Sequence, residues 1–202
     1  MNVNALDSSG RTPLDVALCQ RAYGCLTLLC QDDRVHKDCI YHGKTPLCRS
    51  IIQGDSRAIE ILLQHGTPCD TRVDDGQTPL FYAVLAENDA VVKMLLDHGA
   101  ECTASREPYN ALHCAVIHGS FDILQLLLSH GADPYVESEE GISALHCAVN
   151  VGYYESVALL LSSGPLLSNY VGADHILEYV TPNTPIDVLC LLLNHGATIW
   201  YD

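Results

Sequence analysis

A triplet that opens a helix returns along this chain at a nearly fixed interval. Thr12-Pro13-Leu14 recurs as Thr45-Pro46-Leu47 and as Thr78-Pro79-Leu80, each step 33 residues. Asn110-Ala111-Leu112 follows after 32, and Ser143-Ala144-Leu145 after another 33. A second marker, a leucine pair closed three residues later by glycine, keeps the same register. It ends at Gly66, Gly99, Gly131, Gly164 and Gly196, spaced 33, 32, 33 and 32 residues apart. Two independent markers in one register mean a stack of like units, each unable to bury its apolar face alone.

Each unit reads as two short helices. Thr, Asn or Ser supplies a side-chain oxygen to an orphan N–H at the start, and proline at the first helical position sacrifices no bond. Leu14, Leu47, Leu80, Leu112 and Leu145 point inward, and three residues on comes a small side chain (Ala17, Ser50, Ala83, Ala115, Ala148) that lets helices approach. The second helix carries the leucine pair, and the closing glycine is expected to form a left-handed C-terminal cap. Helices of about ten residues are marginal in isolation, so stacking must hold them.

These residues resemble the ankyrin-repeat family, whose helical signature is Thr-Pro-Leu-His-x-Ala at a period of 33. The resemblance implies an all-α protein, an ankyrin-repeat α-solenoid of about six helix-turn-helix repeats joined by hairpin loops. One domain over residues 1–202 is expected, with repeats near 7–39, 40–72, 73–104, 105–137, 138–169 and 170–202. The fourth signature residue is His113 and His146 in two repeats, but Asp15, Cys48 and Phe81 in three. In the family this histidine braces adjacent loops; its replacement implies a missing hydrogen bond of about 1 kcal/mol.

The last repeat holds a decoy. Thr184-Pro185-Ile186 mimics a repeat start but lies 20 residues after Gly164. Aligning Ile186–Leu193 with Phe121–Leu128 makes Pro185 the start of a second helix, with His175-Ile176-Leu177-Glu178 in the signature slot. Val180 stands where the small residue belongs, so altered packing is expected there. The first hairpin reads as interrupted, and Ile199 and Trp200 follow a final Leu-rich helix. A fragment or isoform of a longer protein is the expectation, a natural chain with frayed ends the alternative.

Charge restricts the partners. Through Arg106 the chain holds ten basic and 14 acidic residues, a balance of −4; from Glu107 onward it holds 11 acidic residues and no Lys or Arg, a balance of −11. That half has no cation with which to displace phosphate counterions, which argues against nucleic acid and against anionic lipid. A protein with a basic segment is the favoured partner; the alternative is that the acid serves solubility. The longest apolar run, Val188–Leu193, is far too short for a membrane span, which needs about 20 residues. No basic, apolar leader opens the chain, and an intracellular setting, cytoplasmic or nuclear, is expected.

Ten cysteines and ten histidines invite a metal or nucleophilic site. No Cys-x-x-Cys occurs. His65, His98, His130 and His195 hold one repeat position, and stacked helices lie about 8–10 Å apart, too far for equivalent residues to share one ion. At helix C-termini they are expected to meet free carbonyls instead. His113-Cys114 and His146-Cys147 are adjacent pairs, with poor geometry for a nucleophile and its base. Gly43-Lys44-Thr45 lacks the glycine five residues earlier that a phosphate loop needs, Asp38 standing there. We expect no metal, no cofactor, no small-molecule substrate and no catalysis, and read the thiols as packing residues.

Surface remains. The family resemblance implies binding through hairpin tips and the exposed face of the first helices. By register the tips include Asp74, Asp75, Glu107, Tyr109, Glu137, Glu139 and Glu140. The position after the signature histidine holds Val16, Arg49, Tyr82, Cys114, Cys147 and Tyr179. Acid beside tyrosine suits Lys or Arg through charge and cation–π contact, so these tips with Tyr82 are the candidate partner-binding residues; ordinary solvated tips are the alternative. The Leu-rich repeats and degenerate last unit also resemble, more loosely, the ankyrin-and-SOCS-box family. That would imply a scaffold or adaptor delivering substrate to a cullin-type ubiquitin ligase. A third reading makes the chain the ankyrin segment of a larger enzyme or channel.

Overall fold

Five helices open with the same device. The side chains of Thr12, Thr45, Thr78, Asn110 and Ser143 each accept a hydrogen bond from the backbone N–H three residues on. Each stands in extended backbone, and Pro13, Pro46 and Pro79 follow three of them. The resulting first helices are α1 (Pro13–Cys19), α3 (Pro46–Ile52), α5 (Pro79–Leu85), α7 (Ala111–Ile117) and α9 (Ala144–Val151). Their second helices are α2 (Tyr23–Gln31), α4 (Ser56–Gln64), α6 (Asp89–Asp97), α8 (Phe121–Ser129) and α10 (Tyr154–Ser162), with α11 (Ile186–Asn194) last. The computed structural model describes residues 2–102, 109–164 and 173–197. Among them there is no extended strand; isolated bridges Tyr41–Lys44 and Glu137–Ser143 mark two hairpins.

The chain divides into two compact units, Met1–Glu101 and Cys102–Asp202. In the first, α1 packs on α2, α3 on α4 and α5 on α6, and α4 lies between α2 and α6. In the second, α7 packs on α8 and α9 on α10, and α10 lies between α8 and α11. The inward leucines of the first helices and Leu62, Leu95, Leu127, Leu160 and Leu192 of the second are fully buried. Small buried Ala17, Ser50, Ala83, Ala115 and Ala148 sit where the sequence requires close approach.

The glycine caps form at four of five expected places. Gly66, Gly99, Gly131 and Gly196 have φ between +71° and +92°. The N–H of the next residue reaches back to the carbonyl of Leu62, Leu95, Leu127 or Leu192 at 3.0–3.1 Å, satisfying a carbonyl otherwise left bare. Gly164 departs from this pattern. Its φ is not left-handed, and a Cβ there would overlap the ring of Tyr135. Glycine is needed at that position for space rather than for a turn.

In the degenerate repeat the altered packing takes a definite form: the first helix is a 3₁₀ helix, Ala173–Tyr179. Ile176 still enters the core. Thr184-Pro185 caps nothing at a repeat start; Pro185 directly precedes α11, as the alignment requires. Ile199 and Trp200 lie outside the described residues.

Candidate interaction surface

The signature position does more than expected. His113 is buried, and its Nε2 donates to the Ile142 carbonyl of the following hairpin at 2.8 Å. The N–H of Asn110 closes the other side on Nδ1 at 3.4 Å. Burial holds the imidazole below its ordinary pKa, so it braces the hairpin as a neutral ring. Where Asp15 replaces it, no deficit results. Asp15 Oδ2 accepts from the N–H of Thr12 at 2.8 Å and from its hydroxyl at 2.9 Å, while Oδ1 forms an ion pair with Arg49 of the next first helix. Carboxylate and guanidinium thus supply a brace of a different kind, correcting the expectation of a missing bond there.

The first-helix face is more enclosed than the sequence suggested. Cys114 and Cys147 are buried, and burial pushes their thiols up to about 12 and about 11. They are packing groups and carry no nucleophilic thiolate at neutral pH. Tyr109 is half-buried against the His113 ring, centroids 5.5 Å apart, and Tyr179 lies 4.6 Å from the ring of His146. These tyrosines cover the signature histidines.

In the first unit the expected acidic tip has its own cation. Lys44 Nζ donates to Asp75 Oδ2 at 2.6 Å and to the Tyr82 hydroxyl at 2.5 Å. The Tyr82 hydroxyl donates to the same carboxylate, and the ammonium stands 4.8 Å from the ring centroid. Asp74 is exposed, and its N–H bonds the Gly43 carbonyl of the preceding tip at 3.3 Å. Sequence reasoning missed Lys44. It met that residue only as part of a false phosphate loop, although a separation of 31 residues puts it one repeat before Asp75, hence on the neighbouring tip.

In the second unit, Glu137, Glu139 and Glu140 are exposed on the hairpin that Ser138 closes, its N–H bonding the Ile142 carbonyl at 2.8 Å. The Ser138 hydroxyl accepts from the N–H groups of Glu140 and Ile142, both at 3.3 Å. These bonds fix the backbone of the turn that carries the three exposed glutamates. Glu107 lies outside the described residues. Asp74, Asp75 and Tyr82 belong to the first unit and the other described candidates to the second.

Three of the four helix-terminal histidines meet carbonyls as expected: Nδ1 of His98, His130 and His195 donates to Met94, Leu126 and Leu191 at 2.8–2.9 Å, and His65 does not share this bond. Among the described residues no three His, Cys, Asp or Glu side chains converge on a point that could hold a metal. No described helix is long and apolar enough to cross a membrane.

Capped helix pairs at this period, with a buried histidine bracing the next hairpin, define a stacked-repeat protein of the ankyrin type. The family model for ankyrin repeats (three copies) matches residues 31–106 and 102–171. The chain belongs to the ankyrin-repeat family. Among solved structures it is similar to the ankyrin repeat domain of Bcl-3, a member of the IkappaB protein family, at 25% identity and a TM-score of 0.79, covering 95% of this chain and 89% of that one. An ankyrin repeat domain from Acinetobacter baumannii aligns at 26% identity and a TM-score of 0.73, over 81% and 87% of the two chains. The ankyrin repeat domain of human ASB11 aligns at 25% and 0.71, over 93% and 85%. No curated protein matches the sequence. Ankyrin repeat domains are in general protein–protein interaction modules and typically non-catalytic.

Proposed function

We propose that the chain is a non-catalytic scaffold that grips a basic segment of a partner protein through the tips of its second unit, chiefly Glu137, Glu139 and Glu140 with Tyr109 beside them. The observation that carries this is the charge of the second half: 11 acidic residues from Glu107 onward and no Lys or Arg. A field of one sign, displayed on an exposed and conformationally fixed turn, steers a cationic segment toward it. The first-unit tip is the weaker candidate, because Lys44 already occupies Asp75 and Tyr82. Cys30, Cys48, Cys114 and Cys147 are buried packing groups, whereas Cys19, Cys25 and Cys190 are exposed, which corrects the reading of the thiols as packing residues throughout.

The test is calorimetric titration with a lysine-rich synthetic peptide and its glutamate counterpart, at low and high salt. The lysine peptide should bind, more weakly as salt screens the field. The triple variant Glu137→Lys, Glu139→Lys, Glu140→Lys should weaken it by about tenfold or more. Unchanged binding in that variant refutes the tip.

The similarity to ASB11 supports a second reading, the substrate-recognition arm of a cullin-type ubiquitin ligase. Similarity to Bcl-3 at the same identity gives it no priority. Co-purification of a cullin with the full-length protein tests it.

A further inference from the structure

We infer that the second unit takes an arginine side chain of the partner on the edge opposite its hairpin tips, the guanidinium lying against the ring of Phe121 and pairing with the carboxylate of Glu155. This rests on the basic partner proposed above, and not on the tips. The α7–α8 and α9–α10 turns follow the first helices, whereas the hairpins precede them, so the two sets lie at opposite helix ends. Between those turns is an open depression of about 330 Å³ lined by His118, Gly119, Phe121, Tyr153, Glu155 and Ser156. Its aromatic walls reach solvent, Phe121 being 39% and Tyr153 40% exposed. The Tyr153 ring lies over Gly119, where a Cβ would stand 3.2 Å from it.

The first unit shows what such a groove accepts. Counted from the residue that caps each first helix, Phe121 corresponds to Tyr23, Tyr153 to Asp55, Glu155 to Arg57 and Gly119 to Arg21. There the guanidinium carbon of Arg57 stands 5.0 Å from the centroid of the Tyr23 ring. The Tyr23 hydroxyl donates to Asp55 at 3.0 Å, and Arg21 Nε pairs with the same carboxylate at 3.7 Å. Ring, carboxylate and guanidinium groups thus share one groove, all supplied by the chain itself. In the second unit the ring is kept, a carboxylate takes the place of Arg57, and glycine takes the place of Arg21. From Glu107 onward the chain has no Lys or Arg to offer, so a cation for this ring and carboxylate must come from a partner. Tyr153 is a second, independent pointer. At its position Asp55 and Asn88 accept a hydrogen bond from the N–H three residues on, whereas Tyr153 makes no such cap. A helix cap given up for an exposed ring is the kind of local rule-breaking found at functional sites. Helix N-termini disfavour a cation, but Asp122 and Glu155 in the first turns of α8 and α10 offset them. Guanidinium suits both surfaces better than ammonium, since its plane stacks on a ring while its N–H fork pairs with a carboxylate.

Calorimetric titration with an arginine-rich synthetic peptide and a lysine-rich one of equal length tests the proposal. The arginine peptide should bind the wild type about threefold more tightly, or better. Phe121→Ala and Glu155→Arg should each abolish that preference, the second by placing a guanidinium over Phe121 as Arg57 places one over Tyr23. Phe121→Tyr should keep it. These positions are exposed, and circular dichroism checks that the fold is intact. The triple variant at Glu137, Glu139 and Glu140 should weaken both peptides alike and leave their ratio unchanged. If that variant has no effect, the tip reading falls and the arginine preference still stands or falls on Phe121 and Glu155. Equal binding of the two peptides to the wild type, a preference undiminished in Phe121→Ala or Glu155→Arg, or one lost in Phe121→Tyr overturns the proposal.

Discussion

At the scale of single residues, Asp15 shows how one side chain can be replaced by another of different chemistry without loss of its task. Its carboxylate is buried and serves both the cap of α1 and Arg49, whose own side chain is mostly enclosed. Removing one partner of such a pair leaves an uncompensated charge. Asp15→Ala should therefore cost about 3–5 kcal/mol by denaturant unfolding, and adding Arg49→Met should restore part of that loss. Restoration absent from the double variant would mean the pair contributes little beyond the cap. His113 makes a pH statement. Its folded pKa is lowered by burial, so between that value and the ordinary 6.5 the unfolded chain binds the proton more readily. Stability from this group is complete above 6.5 and falls as pH drops below it. The Tm of the wild type should accordingly decline from pH 7 toward 5 more steeply than that of His113→Gln. The signature triplet and small residues were legible in sequence because they act locally. The Asp15–Arg49 and Lys44–Asp75 pairs were not, since each joins residues more than 30 positions apart that meet only once the repeats are stacked.

At the scale of elements, the degenerate repeat is the place where stability thins. Its first helix is 3₁₀, whose hydrogen bonds are poorer than those of an α-helix. α11 buries only Val188 and Leu192, against Ala58, Ile59, Leu62 and Leu63 in α4. Leu62→Ala should cost about 2–5 kcal/mol, while the register-equivalent Leu192→Ala should cost less, because α11 can shift to fill the space. Denaturant unfolding of the two variants decides it; equal losses would show that α11 is as firmly seated as α4. Sequence alignment located this repeat and exposed its Thr-Pro decoy, since apolar spacing survives when the signature does not. It could not foresee the 3₁₀ geometry. Nor could it distinguish Gly164, which makes room for Tyr135, from the four glycines that turn the chain.

At the scale of the whole molecule, fold and function were unequally readable. Periodicity names a stacked architecture because the physics of each unit repeats and errors in one repeat are corrected by the next. Recognition depends on the residues that do not repeat, and there the sequence could offer only net charge. Asp74 and Asp75 at one tip and Glu137, Glu139 and Glu140 at another look alike in composition; structure separates a tip whose Asp75 pairs with Lys44 from a turn whose backbone is held by Ser138. The recurrent left-handed glycines have a further consequence. Because each turns the chain by a bond from the residue after it to a carbonyl of the same helix, the turn itself asks nothing of the next layer. A lineage can duplicate or delete one such module without redesigning its turn, so reach becomes a quantity that evolution adjusts in whole steps.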